Sequence, residues 1–135
     1  MRRVALVTLV VGDYDEAIRF YTEALGFRLA EDTPRPDGSR WVVVEADAAP
    51  GADGPGTGLL LARARDGAQR ARIGDQTGGR VGFFLHTDDF ARDHARMTAA
   101  GVTFLEQPRH EPYGTVAVFQ DLHGNRWDLL QPAAH

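Results

Sequence analysis

The sequence predicts an α+β fold built from two βαβββ modules in tandem. Three observations point to it. The order strand, helix, strand, strand, strand is read twice, in a module at 1–65 and another at 81–131, with a linker at 66–80 between them. Each helix opens on an aspartate and closes on a glycine, Asp13 to Gly26 and Asp89 to Gly101, so the strand-to-helix junctions of the halves superpose. The 135 residues, 43% hydrophobic and 25% charged, suit one compact domain able to bury a core.

Residues 3–11 are a β-branched apolar run and read as a buried strand ending at Gly12. Asp13 is a helix N-cap, and Glu16 three residues on completes a capping-box pattern. Tyr14, Ala17, Ile18, Tyr21, Ala24 and Leu25 follow at helical spacing and make one apolar face. FRLAED (27–32), RWVVVEAD (40–47) and LLLARA (59–64) read as strands. TPRPDGS is the hairpin between the first two, and the small-residue loop AAPGADGPGTG precedes the third. In the second half, VGFFLHTDD (81–89) is a strand ending in acidic caps and FARDHARMTAAG a helix. VTFLEQ (102–107), TVAVFQD (115–121) and RWDLLQ (126–131) are strands, with turns at PRHEPYG and LHGN. Alternation along the last strand puts Arg126, Asp128 and Leu130 on one face and Trp127 and Leu129 on the other.

Composition excludes several functions. The net charge is −4, and arginine supplies scattered positive charge, which is not the basic footprint of a nucleic-acid binder. No cysteine is present, so disulfides, thiolate nucleophiles and cysteine-bound metals are ruled out. VALVTLVV is too short for a membrane span or a signal peptide, and a cytoplasmic protein is the expectation. HExxH and GxSxG are absent. The GADGPGTG loop precedes a strand rather than a helix, which argues against a phosphate cradle.

Two stretches, VVGDYDEAIRFYTEALGF (10–27) and VFQDLHGNRWDLLQ (118–131), resemble the vicinal-oxygen-chelate superfamily of glyoxalase I, bleomycin-resistance proteins and extradiol dioxygenases. The first carries the D…A…FY…LGF framework of that superfamily's opening strand and helix. The second resembles its closing strand, F-x-D-x-x-G-N-x-x-E-L. The resemblance spans essentially the whole chain. It implies a curved mixed sheet with a concave cavity, a homodimer, and sites near module interfaces. It also implies metal ligands on the first and fourth strands of each module in the metal-dependent members.

Transferred position by position, those ligands fall on Leu6, on Leu60 within one residue, on Gly82 and on Asp128. Leucine and glycine cannot ligate, and one carboxylate does not hold a catalytic divalent ion, which needs about three protein ligands. No metal and no cofactor are therefore expected.

The resemblance places Asp128 toward the cavity, where it contacts a ligand; the bland alternative is a solvated carboxylate paired with Arg. His86 and Phe84 share the Gly82 face. His86 is either a ligand contact or acid–base group, or a strand-end histidine capping the next turn. Phe84 is either an aromatic wall or core. Trp41 and Glu45 share a face with Val43; if that face is concave they are a stacking wall and a polar anchor, and if convex Trp41 is core. Thr8, beside Leu6, is a further polar contact. His94 reads as a half-buried core histidine on the Phe90 and Met97 stripe. His110, Glu111 and Tyr113 read as loop residues that could rim a pocket, His123 as a turn residue and His135 as a terminal one.

The expected function is binding of a small, partly apolar organic molecule in a concave pocket, of the antibiotic-resistance kind, without the usual metal. Nucleic acid and membranes are not expected partners. The alternative is a lyase, isomerase or dioxygenase of the same superfamily that uses a displaced metal or a metal-free pair such as His86 with Asp128.

Overall fold

The computed structural model describes residues 1–47 and 56–134. The chain divides into two units, Met1–Ile73 and Gly74–His135, and the division falls inside the polar 66–80 segment.

In the first unit, β1 (Leu6–Val11) leads into α1 (Tyr14–Arg19), which continues as a π-helical turn over Phe20–Ala24. Then come β2 (Arg28–Pro34), β3 (Arg40–Glu45), β4 (Gly58–Arg63) and the single-turn α2 (Gly67–Arg70). The sheet order is β1-β4-β3-β2, with β1 parallel to β4 and the other neighbours antiparallel. The Asp13 side chain accepts a 2.8 Å hydrogen bond from the Glu16 amide, so the helix starts where the cap predicts. Its far end widens: Leu25 N–H reaches back five residues to Phe20 O at 3.2 Å. Gly26, at φ +73, turns the chain out so that Phe27 N–H meets Tyr21 O at 2.8 Å. The buried Tyr14, Ala17 and Tyr21 pack on the sheet face that carries Leu9, Val11, Val42, Val44, Leu59 and Leu61. That apolar layer is the unit's core.

The second unit repeats the scheme. β5 (Val81–His86), α3 (Phe90–Ala99), β6 (Thr103–Phe104), β7 (Arg109–Glu111), β8 (Gly114–Gln120) and β9 (Arg126–Pro132) form a sheet of order β5-β9-β8-β6, with β7 also on β8. β5 runs parallel to β9, as β1 does to β4. Asp89 caps α3 through the Arg92 amide at 3.0 Å. The core is Trp127, Leu129, Ala117 and Phe119 beneath Phe90, Met97 and Val102. Phe83 stacks on Trp127 at 4.7 Å between centroids, and Trp127 on Phe119 at 5.8 Å. Both units are α+β with mixed sheets, as the repeat predicts.

Four segments differ from expectation. β1 starts at Leu6 rather than residue 3, because β4 begins only at Gly58 and, among the described residues, no strand lies beside the earlier ones. The supposed linker at 66–80 contains α2, capped by Asp66 through the Gln69 amide at 2.8 Å. β6 is two residues long, not six; the ladder ends one bond later at Leu105 N–H to Val118 O, 2.8 Å, ahead of Pro108. The expected turn at 108–114 contains β7, which pairs with β8 through Arg109↔Val116, His110↔Thr115 and Glu111↔Gly114. Most of the AAPGADGPGTG loop lies outside the described residues.

Candidate functional site

Each sheet has one face without a helix, and the register decides which side chains stand there. In the first unit Thr8 pairs with Leu60, Leu60 with Val43, and Leu6 with Gly58. Directly paired residues share a face, so Leu6, Thr8, Leu60, Val43, Trp41 and Glu45 all lie opposite α1. That resolves the open question for Trp41 and Glu45: both stand on the face of Leu6 and Thr8, not in the helix-side core. Trp41 is half-buried, and the Arg35 guanidinium from the β2–β3 turn sits 4.6 Å from its ring centroid. Glu45 is held by an ion pair to Arg28, its cross-strand partner. Leu6 is 37% exposed, a large apolar side chain left open.

In the second unit Phe84 pairs with Asp128, Asp128 with Val118, and His86 with Leu130. These residues lie opposite α3. Phe84 is 63% exposed, which excludes the core role for it, and His86 is exposed at the strand end. Gly82 departs from the expected row. The register shifts between Val81 and Phe83, so Gly82 is the extra residue of a bulge and Val81 takes the place opposite Arg126. A Cβ at Gly82 would lie 2.4 Å from Thr77 Cγ2, so a side chain there would require the Thr77 side chain to move.

Asp128 is the electrostatic anomaly of this face. Its Oδ1 is buried with no hydrogen-bond partner, the one such side-chain atom among the described residues. Oδ1 is shut off from water and has no arginine on it, but the side chain as a whole is only half-buried, so the carboxylate is solvated in part. Burial pushes the Asp128 carboxyl above the ordinary carboxylate range; Arg109 pulls it down and Glu106 pushes it up. Arg109 is committed elsewhere: its Nε donates to Glu106 at 2.7 Å and its Nη1 to Glu111 at 3.0 Å. Arg109 and Glu106 were not legible beforehand as site residues, since β7 itself read as a turn.

A charged group held above its unfolded pKa stabilises the fold at low pH. That contribution fades as pH rises from the unfolded to the folded pKa, and above it the buried charge is a net cost. Asp128→Asn is therefore expected to raise unfolding free energy at pH 7 by less than about 1 kcal/mol, because it removes the charge from a part-exposed side chain that solvent already screens. The gain should shrink as pH falls through the carboxylate range. Urea melts of both proteins at pH 7 and pH 4 measure it.

The other histidines have structural explanations. His94 lies between Phe90 and Phe104, with ring centroids at 5.4 and 4.2 Å. His110 sits on β7 with Nδ1 3.3 Å from Thr115 Oγ1, and Glu111 pairs with Arg109; both are strand residues, not loop residues, and Tyr113 is exposed. His123 belongs to the turn built on Asp121. His135 lies outside the described residues.

The donor set does not fit a metal ion. Leu6, Leu60 and Gly82 offer no side-chain donor atom, and no three His, Asp or Glu cluster among the described residues. No helix among them is long and apolar enough to cross a membrane.

Comparison with known proteins gives the family. A sequence profile of the Glyoxalase/Bleomycin resistance protein/Dioxygenase superfamily matches residues 3–129. An uncharacterized protein of Shewanella frigidimarina (strain NCIMB 400) is 54% identical over 126 residues, 93% of this chain and 90% of that one. The crystal structure of UcmS2 superposes with a TM-score of 0.79 at 32% identity, covering 96% of this chain and 98% of that one. TnmS3, an antibiotic binding protein from Streptomyces sp. CB03234, superposes at 0.74 with 34% identity and 98% coverage of both chains.

Proposed function

Because this chain belongs to the glyoxalase/bleomycin resistance protein/dioxygenase superfamily, we propose that it is a carrier that binds a small, partly apolar organic molecule, an antibiotic or a compound of similar build, without the metal of its catalytic relatives. The observation that carries the reading is the substitution of the ligand set: Leu6, Leu60 and Gly82 stand at positions where donors would, and the fourth position, Asp128, carries an orphaned carboxylate oxygen. Apolar side chains at former donor positions suit contact with a hydrophobic body, while few polar groups remain to orient it. The antibiotic-binding relative supports the same choice of ligand class.

Binding is tested by titrating a panel of polycyclic and glycopeptide antibiotics while following tryptophan fluorescence. Trp127 is buried in the helix-side core, and Trp41 is the half-buried indole on the open face. At least one compound is expected to quench Trp41 at micromolar concentration, and Trp41→Ala is expected to weaken that compound by about 2 kcal/mol, roughly thirtyfold. A panel that binds nowhere, or affinity indifferent to Trp41, Phe84 and Asp128 in folded variants, would remove the reading.

A second reading rests on Asp128 and His86. Asp128 is shifted toward its protonated form, and His86 stands diagonally across the same face. Such a pair could move a proton on a bound substrate without a metal. The fate of the bound compound separates a carrier from such an enzyme.

The working unit is proposed to be a homodimer in the cytoplasm. Leu6, Val7 and Phe84 are large apolar side chains left exposed, which favours a second copy as cover. Light scattering at micromolar protein is expected to return twice the 14.8 kDa chain mass, and a monomer mass would contradict it.

A further inference from the structure

Building on the carrier reading, we propose that the second unit's helix-free face selects ligands bearing a protonated amine, with Asp128 as the specificity-determining residue and Phe84 as the wall beside it. Three observations on that face lead there. The first is the orphaned Asp128 Oδ1, buried with no donor within reach. A carboxylate oxygen kept from water and from donors costs stability, and a ligand donor that meets it recovers that cost. The carboxyl turns about its last torsion, so an approach from the part-exposed side of the residue can serve either oxygen.

The second is charge. The guanidinium that acts on Asp128 is Arg109, and it is already shared by Glu106 and Glu111. Glu106, Glu111 and Asp128 thus stand against one Arg109, a surplus that an incoming cation relieves and an incoming anion aggravates. Arg126, two residues back on the same face, is exposed, and with it counted the three carboxylates still outnumber the two guanidiniums. The third is the neighbour. Phe84, directly paired with Asp128 and 63% exposed, offers a ring to the apolar body that carries the amine and a face to the cation itself. A hydroxyl would satisfy the oxygen but would leave the charge surplus and the ring unused. On this reading an organic cation stands at the one family metal position that keeps an acidic side chain.

The test uses two matched probes, 1-naphthylmethylamine and 1-naphthylmethanol, titrated by protein-observed NMR at neutral pH into wild type, Asp128→Asn and Phe84→Ala. Circular dichroism checks the fold of each variant. The wild type is expected to bind the amine about tenfold or more tightly than the alcohol. Asp128→Asn should bring the two probes within about threefold, and Asp128→Glu should restore part of the preference. Phe84→Ala should weaken both probes. Equal binding of amine and alcohol by the wild type, a preference that survives Asp128→Asn, or no amine binding in the millimolar range would each overturn the inference. If an uncharged compound from the antibiotic panel still binds and responds to Phe84→Ala, the carrier reading stands while the amine selectivity falls.

Discussion

Asp121→Ala is expected to cost about 3–5 kcal/mol of stability, far beyond a typical surface substitution. Asp121 is buried, and its two oxygens organise the turn that feeds β9. Oδ1 accepts from the amides of His123 and Gly124 at 3.1 Å and of Asn125 at 2.9 Å. Oδ2 accepts from Asn125 Nδ2 at 3.0 Å and from the Trp127 indole at 3.3 Å. Alanine leaves these donors without that acceptor, several of them out of water, at about 1–3 kcal/mol for each one fully buried. Asp121→Asn keeps an acceptor for the three amides but turns an amide NH2 toward two donors, so a loss of about 1–2 kcal/mol is expected. Because Trp127 and Asp128 follow directly, the alanine variant should also blunt ligand binding at temperatures where it is still folded. Chemical denaturation followed by Trp127 fluorescence reads both variants. A loss below about 1 kcal/mol for alanine would show that the turn is held by something else.

The second large effect is expected from Gly114→Ala, at about 2–4 kcal/mol. Gly114 opens β8 at φ +149, and a Cβ there would stand 2.2 Å from Gln131 O and 3.1 Å from Pro132 Cα. Both obstacles are backbone atoms of β9, so neither can swing aside as a side chain would. The glycine lets β7 fold back on β8, and β7 brings Arg109 to the face that holds Asp128. Thermal unfolding measures the loss, and a melting temperature unchanged within error would contradict the packing described here.

The helices and long strands were legible because each rests on a local signal. Asp13 and Asp89 cap as their positions predict, Gly26 and Gly101 close the helices at positive φ, and β3, β4, β8 and β9 lie within a residue or two of their apolar runs. β7 was hidden because RHE has no alternation of its own and becomes a strand only by pairing with β8. The bulge at Gly82 was hidden for a related reason: strict alternation assigns it the face of Phe84 and His86, and only the β5–β9 register shows the extra residue. Trp41 and Glu45 could not be assigned to a face until Val43 was seen paired with Leu60. The state of Asp128 was out of reach for sequence reasoning, since an orphaned oxygen depends on where Arg109, Glu106 and Glu111 go.

The most direct measurement is equilibrium dialysis of purified protein against a bound panel antibiotic, with and without a strong chelator, followed by mass spectrometry of the recovered compound. A carrier without the family metal gives the same Kd in both arms, no stoichiometric divalent metal by elemental analysis, and a compound released unchanged. Affinity that collapses with the chelator and returns with added metal, or recovery of a chemically altered compound, would contradict it.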